Sequence, residues 1–95
     1  HQCCRVLILS MRGVPLIDVS GLELIEEILE AQHQCSGELM LCALQPQVRQ
    51  MLDRSRLSEE IGPHNIFWAA DAAIIEANRR LGIAPQSAAP AAIAP

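Results

Sequence analysis

The 95-residue sequence contains no lysine and no tyrosine, has a single phenylalanine and a single tryptophan, and draws all seven of its basic residues from arginine. Against eleven acidic residues this leaves a net charge of −4 and an isoelectric point near 5.2. Nucleic acid is thereby excluded as a partner, because phosphate binding needs a basic stripe and single-strand binding needs a row of stacking rings. Long apolar runs are missing too, none approaching the roughly 20 residues of a membrane-spanning helix. No charged-then-apolar leader of the secretory kind is present. Glycine-rich phosphate cradles of the Gly-x-x-x-x-Gly-Lys or Gly-x-Gly-x-x-Gly type are absent, which removes the usual support for specific nucleotide binding. Asp18 has no histidine or second acid at a catalytic spacing, so an enzyme of the doubly wound α/β type lacks its acid–base pair.

What is present is a 51% hydrophobic chain of one-domain length. Apolar strands alternate with amphipathic helices: the pattern predicts a strand over 5–11, a helix over 20–34, a strand over 38–44, a helix over 46–55, a short strand over 65–68 and a helix over 72–81. That alternation implies an α/β fold with parallel strands joined by right-handed crossovers. Ser36-Gly37, Pro46, Gly62-Pro63 and Gly82 supply stops and starts in the right places, and Asp71 is the expected N-cap of the last helix. Met11, Met40 and Met51 read as core fillers. Of the adjacent aromatics Phe67 and Trp68, alternation along a strand sends one to the core and the other outward. Residues 1–82 make the expected domain. Residues 83–95, alanines punctuated by proline, make an expected flexible tail.

Cys3 and Cys4 are adjacent and Cys42 lies in an apolar strand, so the four cysteines, Cys35 included, are expected to be free buried thiols of a reducing compartment. His33 and Cys35 are too few neighbours for a metal site. No cofactor is expected. The chain opens with His1 and runs almost at once into an apolar strand, so a domain lacking upstream strands is expected, its open edge completed by a second copy or by a segment from elsewhere.

The most informative stretch is the junction Val14-Pro15-Leu16-Ile17-Asp18-Val19-Ser20-Gly21, which turns the run Val6-Leu7-Ile8-Leu9 into the first helix. Ser20 followed by Glu23 has the spacing of a capping box, with Ser20 as N-cap. The helix start then offers backbone N–H groups over Asp18, Val19, Ser20, Gly21 and Leu22, a place for partner contact, for an anion or for a nucleotide phosphate. Along the helix Glu23, Glu26, Glu27 and Glu30 share one face opposite Leu22, Ile25 and Leu29. Such a face is either solvated or a docking surface for a basic partner. Arg49, Arg54 and Arg56 could meet it across a homodimer.

These residues also carry a family resemblance. Val14-Pro15-x-Ile17-Asp18-x-Ser20-Gly21-Leu22, preceded by its apolar strand, resembles the signature of STAS domains, in the wording found at the C-terminus of SulP-type anion transporters. Cys42-Ala43-Leu44-Gln45-Pro46-Gln47-Val48-Arg49 resembles the next strand-to-helix junction of that family, and Asn65-Ile66-Phe67 with Asp71-Ala72-Ala73-Ile74 its last strand and helix. The resemblance implies a STAS-type, mostly parallel sheet with flanking helices, lacking the pair of strands and the helix with which such domains begin. It also implies a non-enzymatic regulatory or interaction domain of a transporter for sulfate, bicarbonate or a related anion, at the cytoplasmic face of the cell membrane. Its partners would be the membrane domain of the same parent chain, a second copy or a soluble regulatory protein. The alternative it implies is a stand-alone anti-sigma-factor antagonist switched by phosphorylation of Ser20. A phosphate there would gain from the helix dipole and would face Asp18 and Glu23.

Overall fold

Three short parallel strands set the frame in the computed structural model, which describes residues 5–83. β1 (Val6–Ser10), β2 (Glu38–Cys42) and β3 (Ile66–Phe67) lie in the order β1-β2-β3, with Leu7 beside Leu39, Leu9 beside Leu41 and Cys42 beside Phe67. α1 (Val19–Gln34) joins the first pair, α2 (Pro46–Arg54) and α3 (Leu57–Ile61) join the second, and α4 (Ala70–Leu81) closes the described chain. The tail beyond Ile83 and the pair Cys3 and Cys4 lie outside the described residues.

Side chains alternate across β2, and the alternation sorts the core into two faces. Leu39 and Leu41 meet Leu22, Ile25 and Leu29 of α1, with Val48, Leu52, Leu57 and Ile61 from α2 and α3. Met40 and Cys42 point the other way, onto Ala73 and Ala77 of α4. The alanines let α4 lie close to the sheet, with Val6, Ile8 and Phe67 packed around the contact. Between its two neighbours β2 is buried from Leu39 to Cys42, whereas β1, just as apolar in sequence, is only half-buried, having a strand on one edge only among the described residues. Met11 and Met40 are in the core and Met51 packs on it, as expected.

At the amino ends of the strands polar groups do the joining. Arg80, near the end of α4, donates to Glu76 Oε2 at 2.7 Å, to Glu38 Oε1 and Asn65 Oδ1 at 2.6 Å each, and to the His64 carbonyl at 3.2 Å. Gln32 of α1 donates to the Glu38 carbonyl at 2.8 Å. Arg79 and Arg80 together hold the Glu76 carboxyl down to about 2, the hydrogen bond from Arg79 being the larger cause. α4 stops at Gly82, whose φ of 76° is the left-handed conformation expected of a glycine helix stop.

Several local expectations change. The second helix ends at Arg54; Arg56 turns left-handed at φ 66° and α3 begins at once, an element too short to show a period in sequence. α3 is held by Ser58 Oγ donating to Asp53 Oδ1 at 2.6 Å and by burial of Leu57 and Ile61. β2 ends at Cys42 because Ala43 adopts a φ of 58°. The N-cap of α4 is Ala69, and Asp71 sits inside the first turn, where its charge still complements the dipole. Cys35 is exposed, at the C-cap of α1, and only Cys42 of the described cysteines is buried.

Candidate functional site

Beyond β1 the chain makes a bend over residues 11–18 at the carboxyl end of the sheet. Met11 still pairs with the sheet, its N–H donating to the Cys42 carbonyl at 2.9 Å, and Val14 N–H closes a turn onto the Met11 carbonyl at 3.0 Å. Gln45, at the start of α2, ties the bend down by donating to the Arg12 carbonyl at 2.9 Å. Val14 and Ile17 fold inward against the core, while Pro15, Leu16, Asp18, Val19 and Ser20 are exposed.

The helix cap is Asp18, not Ser20. Asp18 has extended backbone and its Oδ1 accepts from Gly21 N–H at 2.9 Å; the helix is under way at Val19, which puts Ser20 in its first turn with an exposed hydroxyl. A carboxylate at that place gains both a hydrogen bond and the favourable end of the dipole, which a hydroxyl does not. Gly21 has a second role: a Cβ there would stand 2.6 Å from Ile17 Cγ1, so glycine lets Ile17 fold across the helix start. Of the five residues expected to form the contact, Gly21 and Leu22 have their N–H groups engaged, by the Asp18 carboxylate at 2.9 Å and the Asp18 carbonyl at 3.0 Å, and the Leu22 side chain is in the core. An anion arriving at this helix start would meet the Asp18 carboxylate already in place.

Glu23, Glu26, Glu27 and Glu30 are all exposed, and Leu22, Ile25 and Leu29 are buried beneath them, as the periodicity predicts. Sequence reasoning missed what lies between this face and β1. A groove of about 420 Å³ there has walls that include Leu9, Leu16, Ile17, Leu24 and Ile28. Of its walls Leu16 and Leu24 remain 64% and 57% exposed, and Val19, at the start of α1, is 65% exposed. The arginines of the neighbouring helix are partly engaged. Arg49 Nε donates to Asp53 Oδ1 at 3.3 Å, and the Asp53 carboxyl is held below its ordinary value chiefly by the Ser58 hydroxyl and then by Arg49.

With this geometry in hand the relatives can be placed. Residues 2–73 match the family model of the STAS domain. The chain belongs to the STAS domain family. This STAS domain is 37% identical over 70 residues to Sulfate transporter 1.1 of Arabidopsis thaliana, a match covering 74% of this chain and 11% of that transporter. Its structure resembles that of a sulfate transporter family protein from Wolinella succinogenes, with a TM-score of 0.79 and 28% identity, over 82% of this chain and 64% of the other. It has the fold of the SulP transporter STAS domain from Vibrio cholerae, with a TM-score of 0.79 and 21% identity, over 86% of this chain and 64% of that one. The chain thus spans about a tenth of the plant transporter and under two thirds of each solved chain. Among the described residues no helix is long and apolar enough to cross a membrane.

Proposed function

We propose that this STAS domain is a non-catalytic regulatory and interaction domain of a SulP-type transporter for sulfate, bicarbonate or a related anion. In this reading it sits at the cytoplasmic face of the membrane and touches its partner through the bend before α1. The partner is the membrane domain of the parent chain, a second copy, or a soluble regulator. The observation that carries the reading is the exposure of Leu16 and Val19, at 64% and 65%, on either side of the Asp18 cap. Leaving such side chains in water forgoes up to about 1.5–3 kcal/mol each, and exposed apolar side chains at a helix start are what a partner would cover. The acidic face of α1 flanks the patch and suits a basic loop.

The test is made in the parent transporter, with Leu16→Asp and Val19→Asp expressed at the level of the unaltered protein. Cross-linking between this domain and the membrane domain should fall, and anion uptake should change with it; unaltered cross-linking and uptake overturn the contact. The reading frame upstream of His1 should encode several apolar spans of about 20 residues. A short polar leader there would favour the stand-alone antagonist instead.

Exposure of Ser20 supports that second reading, since a kinase needs the hydroxyl in reach. Incubating the domain with cell extract and ATP, then weighing the Ser20 peptide by mass spectrometry, tests it; no added phosphate under conditions that modify a known antagonist removes it. For a homodimer held by the acidic face of one copy and the arginines of another, Arg49→Glu with Arg56→Glu should weaken self-association.

A further inference from the structure

We propose that the cleft at the carboxyl ends of β2 and β3 binds a small organic anion, a carboxylate or sulfonate carried on a flat apolar ring system. The cleft has a volume of about 280 Å³ and is lined by Leu44, Pro46, Arg49, Ile66, Phe67 and Trp68. It lies on the far side of β2 from the groove beside α1 and does not depend on the contact role of the bend. The carboxyl ends of strands are where open parallel α/β sheets receive ligands, because the loops and helix starts converge there.

Three features converge on this ligand class. Trp68 is 95% exposed, so a broad indole face stands in water at the cleft mouth, where a ring could stack on it. Arg49 is the one charged side chain in the lining. It uses Nε for Asp53, and among the described residues neither terminal nitrogen of its guanidinium enters that bond, which leaves the planar fork for a carboxylate or sulfonate. The starts of two helices add to the same potential. α2 begins at Pro46 without a side-chain cap or an acidic residue in its first turn. α4 begins just after Trp68, also without a side-chain cap, its dipole partly offset by Asp71. A volume just under the usual ~300 Å³ floor of small-molecule pockets suits a ligand of one or two rings.

The experiment titrates the ¹⁵N-labelled 95-residue chain with 1-naphthoate and, separately, with its neutral counterpart 1-naphthalenemethanol. Saturable shifts are expected for the Trp68 indole N–H and for the Leu44 and Phe67 amides, with the alcohol binding about tenfold more weakly. Arg49→Gln should weaken naphthoate by about tenfold and leave the alcohol unchanged, while Arg54→Gln, on the same helix, should alter neither. Equal affinity for acid and alcohol overturns the proposal, as do naphthoate binding indifferent to Arg49→Gln, shifts confined to the Leu16 and Leu24 groove, or no saturation in the millimolar range.

Discussion

At the amino end of the sheet Arg80 reaches Glu76, Glu38, Asn65 and the His64 carbonyl, joining α4, β2 and the turn before β3. At the carboxyl end Leu16 lines a groove, Trp68 lines a cleft and Val19 opens α1, all three largely exposed. At the first end the polar side chains are matched to each other across three elements; at the second, large apolar side chains are exposed around a few local polar ties. The contrast teaches that side-chain hydrogen bonds tie one end of the fold from within, while the other end leaves apolar side chains for the contact proposed above. Satisfied polar networks rigidify an end, whereas exposed apolar clusters mark the surface that a partner or ligand covers.

The sharpest way to break the contrast is to remove Arg80. Its side chain is 16% exposed, so Arg80→Ala should cost about 1–2 kcal/mol in urea unfolding, mainly by leaving the Oδ1 of the buried Asn65 without its donor, since Glu38 is 42% exposed and water can reach it. Arg79→Ala, at 70% exposed, should cost far less, because water screens its pair with Glu76. Equal losses would mean that the amino end is not tied in this way. At the other end Phe67 packs with Met40 and Ala73 while its neighbour Trp68 does not. Phe67→Ala should therefore cost about 2 kcal/mol and Trp68→Ala no more than about 0.5.

Within the bend, Asp18→Ala should cost about 1 kcal/mol and Ser20→Ala almost nothing, which separates the cap from the residue whose spacing imitates one. The smallest effect concerns acid, because water screens the exposed side of the Glu76 pairs. The Glu76 carboxyl is lowered from 4.5 to about 2, so its contribution is complete above pH 4.5 and drains away as pH falls toward 2. Glu76→Gln should flatten that part of the stability profile, and an unchanged profile would remove Glu76 from the network.

Element order and the location of the bend were legible beforehand. The alternation of apolar runs with 3.6-period segments is a local property, and the stretch from Val14 to Leu22 carries a family wording that residues 2–73 bear out. Phe67 packs on the core and Trp68 is exposed, but β3 ends at Phe67, so Trp68 faces water from the bend after the strand and not by alternation along it. The identity of the cap was misread because Asp18 and Ser20 both suit an N-cap and only the backbone geometry says which residue precedes the first helical one. α3 was missed because five residues cannot display a helical period, and its stability comes from Leu57 and Ile61 reaching the core. Arg80 read as a cation at a helix end; its bond to Glu38 joins residues 42 apart in sequence.

By itself the sequence determined the succession of strands and helices and the two-sided character of α1, since periodicity along a chain dictates which side chains share a face. Only the tertiary structure decided which of two equally apolar strands lies in the middle, where Arg80 finds its partners, and which leucines stay in water. Each of these depends on what the rest of the chain brings alongside, and no local pattern records that.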